Sequence, residues 1–201
     1  MYGASAQYCT DVTRKTLTPN DWAMAALRAL ARGGVAAVSV EALARELGAT
    51  RGSFYWHFPH RDALLTAALE LWERLATDGF IADAEREPDP RERLQRLIRR
   101  AVVVDPVPGL EPAITAHADH PAVAPVLRRV TARRIAYLSR CYGELGATRA
   151  MARRRAALAY AAYLGWMDLQ RIAAEEVPEV AASGRVASAA LAHLVDQLTG
   201  P

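Results

Sequence analysis

The chain has 201 residues, of which 52% are hydrophobic and 23% charged, and its formal net charge is +3. This composition provides enough apolar surface for a core and excludes a wholly disordered chain. No run of about 20 apolar residues and no apolar signal segment is visible, so neither a membrane span nor secretion is predicted. Cys9 and Cys141 match no metal or disulfide spacing. We therefore expect a soluble, cytoplasmic protein.

Apolar residues recur at spacings of three and four along most of the chain, which is typical of α-helices. Alternating β-branched runs, which would indicate strands, are absent. The prediction is an all-α fold of about nine helices. The first begins at Pro19 and ends at Gly33-Gly34, and the others cover residues 40–47, 51–57, 61–76, 91–104, 113–119, 121–145, 148–174 and 186–198. Loops are predicted at residues 78–90, 105–112 and 175–184, each of which contains proline.

The most informative segment is SVEALARELGATRGSFYWHFPHRDALL, residues 39–65. Two short helices lie on either side of a tight turn at Gly48, and the small side chain of Ala44 allows them to approach closely. Ser39 and Thr50 are suitable N-caps for the two helices. Phe54 and Phe58 are four residues apart, so we expect both to face the core. This arrangement is typical of a helix-turn-helix, whose second helix enters the major groove of DNA.

The run RGSFYWHFPHRDALL, residues 51–65, resembles the TetR family of bacterial transcriptional regulators. The resemblance covers residues 15–75 and implies three parts: a flexible N-terminal arm (1–14), a helix-turn-helix DNA-binding domain (15–75) and an effector-binding and dimerisation domain (76–201). It implies a homodimeric repressor that binds a palindromic operator in double-stranded DNA and is released by a small-molecule effector. The alternatives are a DNA-bridging architectural protein without an effector and a small all-helical enzyme. Because no catalytic or phosphate-binding motif is present, we predict no enzyme activity and no cofactor or metal.

The candidate DNA contacts lie on and around the second short helix. Arg51 stands at its N-terminus, where an arginine can bind guanine O6 and N7 with two hydrogen bonds. The resemblance implies phosphate contacts for Tyr55, His57 and Arg61, while Trp56 either braces the helix or touches a sugar. Glu41 departs from the basic or polar readers of some family members. The full candidate set is Ser39, Thr50, Arg51, Gly52, Ser53, Tyr55, Trp56, His57 and Arg61.

Two further sets are predicted in the helical body. The dimer face is assigned to the last two long helices, because the family pairs two helices per subunit and small residues permit close packing. Its members are Ala156, Ala159, Tyr160, Tyr163, Leu164, Met167, Ala190, Leu191, Leu194, Val195 and Leu198. Aromatic residues with a few polar groups suggest an effector pocket. The pocket candidates are Trp72, Leu97, Ala101, Ile114, His117, Tyr137, Cys141 and Trp166. The arginine-rich segment 128–155 is interpreted as a solvated face paired with acids elsewhere.

Overall fold

The computed structural model describes residues 17–173, 175 and 185–200. The predicted arm (1–14) lies outside these residues, as does most of the predicted loop 175–184. The described residues are helical and contain no strand, which confirms the all-α prediction. The α-helices are α1 (Pro19–Gly33), α2 (Val40–Glu46), α3 (Arg51–Tyr55), α4 (Arg61–Glu73), α5 (Gly79–Ala84), α6 (Pro90–Val103), α7 (Leu110–Thr115), α8 (Ala124–Glu144), α9 (Arg149–Ile172) and α10 (Arg185–Thr199).

The first helix begins where the local chemistry requires it. The Thr18 side chain accepts a hydrogen bond from the Asp21 amide, and the Asp21 carboxylate accepts one from the Thr18 amide. This capping box satisfies amides that have no partner within the helix. Pro19 occupies the first turn, where a missing N–H costs nothing. The helix buries a face that includes Trp22, Leu27 and Leu30, and it packs against α4 and α7.

The prediction of a loop over residues 78–90 is wrong for its first half. A π-helical turn, Arg74–Asp78, follows α4 directly and leads into α5 at Gly79–Ala84. Phe80 and Ala84 are four residues apart and both are buried, which is the helical spacing that the polar composition of this segment conceals. The helical path that begins at Arg61 therefore continues without a break deep into the body.

Two apolar cores hold the molecule together. The first lies between α1, α2, α3 and α4 and also includes Leu110 and Ile114 of α7 and Val126 and Val130 of α8. The second lies between α6, α8, α9 and α10. Because α7 and the start of α8 share a core with α1, movements of the body are mechanically linked to the N-terminal helices. None of the described helices is long and apolar enough to cross a membrane.

Candidate nucleic-acid interface and ligand cavity

The two short helices form the predicted helix-turn-helix, and the predicted caps are present. The Ser39 hydroxyl accepts from the Ala42 amide at 3.4 Å, and the Thr50 hydroxyl accepts from the Ser53 amide at 3.2 Å. Gly48 adopts φ +62° in the turn, a left-handed conformation that favours glycine. The caps and the turn fix the direction of α3 on the surface of the molecule.

The α3 segment separates its side chains into a buried and an exposed set. Phe54 and Phe58 are buried and their rings stack at 5.7 Å between centroids, as predicted from their spacing. Tyr55 is 54% exposed, and Trp56 is 88% exposed. Trp56 therefore does not brace the helix against the core, which corrects that part of its interpretation. Arg51 and Gly52 are also exposed, while Ser53 and His57 are half-buried.

Arg51 forms an ion pair within the helix-turn-helix. Its guanidinium lies 3.1 Å from a carboxylate oxygen of Glu41, and both side chains are largely exposed. A backbone hydrogen bond at the start of α2 lowers the pKa of Glu41, and the Ser39 hydroxyl and the Arg51 charge lower it further. Glu41 is therefore ionised and partly neutralises Arg51 when no DNA is bound.

Arg61 lies at the start of α4, and its guanidinium turns back towards the N-terminal helices. Its Nε donates to the Val38 carbonyl at 2.7 Å, and a second nitrogen donates to the Val35 carbonyl. A third nitrogen lies 3.3 Å from the Asp62 carboxylate. These contacts tie α4 to the turn before α2. The phosphate contact expected of Arg61 stays a prediction.

His60 has a role that the sequence did not suggest. Its Nδ1 accepts from the Ala63 amide at 3.1 Å and caps α4. Histidine is not among the residues usually favoured at an N-cap, so the residue type carries no capping signal. With Arg61 it fixes the N-terminus of α4 next to the exposed surface of α3.

The body contains a cavity of about 640 Å³, a volume that includes some open solvent. Its wall is mostly aliphatic, with five polar side chains. The lining residues are Ala76, Thr77, Phe80, Ile81, Leu97, Ile98, Ala101, Val102, Arg134, Tyr137, Leu138, Ala159, Tyr160, Tyr163, Leu194 and Leu198. A mostly apolar wall with a few polar groups is typical of a small-molecule site.

Arg134 is the charged residue in the cavity wall and is almost completely enclosed. It donates to Glu111 at 2.5 Å, to the Thr77 hydroxyl at 3.0 Å and to the Ala76 carbonyl at 3.2 Å. Burial lowers the pKa of the guanidinium, but the Glu111 carboxylate more than offsets this and the net shift is upward. Arg134 therefore stays charged and connects α8 with α7 and with the π-helical turn after α4.

The comparisons with known proteins agree with this geometry. The model for bacterial regulatory proteins of the tetR family matches residues 24–68, which include α2, α3 and most of α4. The chain is also 34% identical over 90 residues to the HTH-type transcriptional regulator EthR of Mycolicibacterium smegmatis, a match covering 44% of this chain and 36% of that protein. The helix-turn-helix segment of this chain therefore matches the TetR family.

Solved structures of other proteins share the fold over most of the chain. A transcriptional regulator from Rhodococcus sp. Rha1 superimposes with a TM-score of 0.70 at 22% identity, covering 92% of this chain and 95% of that one. AibR, solved in complex with isovaleryl coenzyme A and operator DNA, gives a TM-score of 0.66 at 16% identity, covering 91% of this chain and 98% of that one. At these identities the likeness concerns the fold.

The predicted pocket residues divide between several places in the body. Leu97, Ala101 and Tyr137 line the cavity, and their contact with an effector stays a prediction. Ile114 is buried in the first core and Cys141 in the second, so both pack rather than line a cavity. Burial also raises the pKa of the Cys141 thiol to about 11.

The remaining pocket candidates also lie outside the main cavity lining. Trp72 borders a smaller neighbouring space, and its ring lies 5.2 Å from the Arg134 guanidinium. His117 binds the Ala113 carbonyl at 2.8 Å and lies over Gly34. The indole nitrogen of Trp166 is buried without a partner among the described residues. Sequence analysis missed Arg134 and Tyr163 as pocket residues, because their positions depend on how three helices pack.

The predicted dimer face needs a larger correction. Ala156, Ala159, Tyr160, Leu191 and Val195 are buried inside the protomer. Tyr163, Leu194 and Leu198 line the cavity, Leu164 packs against the second core, and Met167 borders the smaller space. The five buried side chains are therefore not available to a partner. The others are half-buried, and their place in an interface stays a prediction. Ala190 is half-buried, and its role in an interface stays a prediction.

A different face of α9 is apolar and exposed. Met151, Leu158, Leu169 and Ile172 are all exposed, and Leu158 reaches 65%. Met151, Leu158 and Ile172 are separated by multiples of seven residues, and Leu169 lies about three helical turns after Leu158, so the four side chains form one stripe along the helix. The sequence contains the spacing of this stripe but does not tell which apolar face of α9 is covered by the chain itself.

Proposed function

We propose that this chain is a TetR-family repressor that binds operator DNA through α3 and the residues beside it. The exposed pair Tyr55 and Trp56 is the observation that supports this most strongly. Adjacent exposed apolar side chains indicate a binding surface more strongly than a single one does. In this proposal Tyr55 donates to a phosphate, and Arg51, at the N-terminus of α3, contacts base edges.

The proposed repressor acts as a homodimer on a palindromic operator. A pair of heads related by a two-fold axis matches a palindrome, because protein and DNA then share the same symmetry. The exposed stripe of Met151, Leu158, Leu169 and Ile172 supports α9 as the contact between the two copies. Burying this stripe against its counterpart would remove four large apolar side chains from water.

A small molecule in the cavity is the proposed signal for release. AibR is described with both a ligand and operator DNA, and this chain has a cavity in a comparable fold. The cavity wall includes Ala76 and Thr77, which lie in the π-helical turn that continues α4. A ligand that changes this turn would move α4 and so change the spacing of the two heads. Coupling of about 1–3 kcal/mol is usual for such systems.

The DNA-binding surface is tested by replacing Tyr55 and Trp56 together with alanine. Binding to a pool of duplex DNA is measured by fluorescence anisotropy at several salt concentrations. We expect the double variant to bind at least about tenfold more weakly, because the substitutions remove exposed contacts to the duplex. The melting temperature should change little, since Trp56 is almost fully exposed. Val103→Ala is the matched control, because Val103 is 67% exposed on α6 in the body. Unchanged DNA binding by the double variant would refute this surface.

A further inference from the structure

The polar groups of the cavity wall are almost all used within the protein. Tyr137 donates to Glu85 at 2.6 Å, the Tyr160 and Thr131 hydroxyls lie 3.3 Å apart, and Thr77 accepts from Arg134 at 3.0 Å. A ligand that competed for these groups would have to break an existing hydrogen bond, which costs as much as it gains.

The charge in the wall is also compensated. Each nitrogen of the Arg134 guanidinium has a partner, and Glu111 accepts from two of them. Glu111 is itself buried. An anionic ligand would have to displace this carboxylate, and a cationic ligand would face the arginine. Placing an unpaired charge in an apolar site is costly.

Tyr163 is the exception among the polar side chains of the wall. Its hydroxyl forms no hydrogen bond with another described residue, and its side chain borders both the cavity and the smaller neighbouring space. Burial raises the pKa of this phenol well above its usual value. The phenol is therefore neutral at physiological pH, and it offers a ligand one hydrogen bond but no charge.

We propose that the cavity binds an uncharged, mainly apolar small molecule with one hydrogen-bonding group directed at Tyr163. This rests on the proposed function in so far as the cavity is the effector site. The aliphatic wall contacts the body of the ligand. The Arg134–Glu111 pair excludes both signs of charge.

Three probes with the same eight-carbon chain and different charges test this proposal: 1-octanol, octanoate and octyltrimethylammonium. Dissociation constants are measured by calorimetry on the full chain at neutral pH. We expect 1-octanol to bind at least about tenfold more tightly than either ion, a difference of about 1.4 kcal/mol. Equal or tighter binding of an ion, or no binding of any probe, would overturn the proposal.

Glu111→Gln changes the charge of the wall while nearly keeping its shape. Arg134 then lacks its carboxylate, so the relative affinity for octanoate over 1-octanol should rise at least about tenfold, again about 1.4 kcal/mol. If this affinity ratio is the same as in the unmodified chain, the Arg134–Glu111 pair does not set the specificity. The melting temperature of the free variant shows whether it is folded.

Two further variants locate the binding site without changing its charge. Tyr163→Phe should weaken the binding of 1-octanol several-fold, whereas Ala101→Phe should fill the cavity and abolish this binding. Val103→Phe is the control for Ala101→Phe, because it adds the same ring to an exposed position of α6. Tight binding of 1-octanol to both cavity variants would place the ligand elsewhere and overturn the proposal.

DNA binding is measured separately on the same samples. A chain that binds 1-octanol in the cavity but selects no DNA sequence would refute the proposed repressor and leave the ligand class standing. A chain that selects DNA but binds none of the probes would refute the ligand class alone.

Discussion

Arg51 and Glu41 together define the chemistry of the reading surface at the scale of single residues. The pair is exposed, so its ion pair contributes little to the stability of the fold. In the proposed complex with DNA, the Arg51 guanidinium would have to leave Glu41 or bind Glu41 and a base together. Glu41 would then disfavour duplexes that offer Arg51 no compensating contact.

We expect Arg51→Ala to relax base preference at one position in each half-site. The lost bidentate contact corresponds to about 1–3 kcal/mol of discrimination between bases. Sequencing of DNA selected by the variant and by the unmodified chain measures the change. Arg45→Ala is the control, since Arg45 is exposed on α2, outside the reading helix. An unaltered preference in the Arg51 variant would remove its role as a base reader.

Arg61 links α4 to the turn before α2. Arg61→Ala removes hydrogen bonds to the Val38 and Val35 carbonyls, and the Val35 carbonyl keeps only its bond from the Val38 amide. We expect the free energy of unfolding to fall by about 1–3 kcal/mol, measured by denaturant titration. Arg28→Ala, at an exposed position of α1, should change it by less than about 0.5 kcal/mol. Equal stability of the two variants would contradict the structural role.

At the scale of elements, the end of α1 is held against α7 through Gly34 and His117. Gly34 has φ +66°, and a β-carbon there would lie 2.4 Å from the His117 ring. The close approach brings the body against the first helix of the head. It is a second mechanical connection besides the continuous path of α4.

Gly34→Ala is expected to destabilise the protein more than Gly48→Ala. Both glycines have φ above +60°, but a β-carbon at Gly48 would meet no atom within 4 Å. Backbone strain of about 1–3 kcal/mol applies to both, and the clash with His117 applies to Gly34 alone. Thermal unfolding measures the difference. In a His117→Ala background the two glycine variants should become similar, and a persistent difference would exclude His117 as its cause.

Local signals in the sequence were sufficient for most of the elements. The caps at Ser39 and Thr50, the turn at Gly48 and the inward pair Phe54 and Phe58 all follow from short-range rules. The loop predicted at 78–90 failed because α5 is short and lies between polar residues. Its stability comes from packing of Phe80 and Ala84 in the body, which local propensity does not reveal.

At the scale of the whole molecule, α9 has two apolar faces with different partners. One face, which includes Ala159, Tyr160 and Tyr163, lines the cavity. The other, which includes Leu158 and Ile172, is exposed. Periodicity shows that α9 carries apolar residues but does not tell which of its faces is covered within the chain. The covered face depends on the placement of α6, α8 and α10. The same limit explains why Arg134 was interpreted as part of a solvated basic face.

Leu158→Glu should convert the proposed dimer into monomers. Leu158 lies in the middle of the exposed stripe, and a buried charge without a partner would oppose association. Analytical ultracentrifugation measures the change. Val103→Glu is the matched control, because Val103 is equally exposed on α6 and lies off the stripe. If the Leu158 variant sediments as a dimer, or the unmodified chain as a monomer, the contact does not involve this stripe.

Selection of bound sequences from random duplex DNA is the decisive test of the proposed dimeric repressor. We expect enrichment of an inverted repeat whose half-sites are separated by about one helical turn or a multiple of it. Two α3 helices on a two-fold axis require this spacing. Binding to this repeat should weaken steeply as salt is raised. No enriched sequence, or a single half-site without its inverted copy, would contradict it.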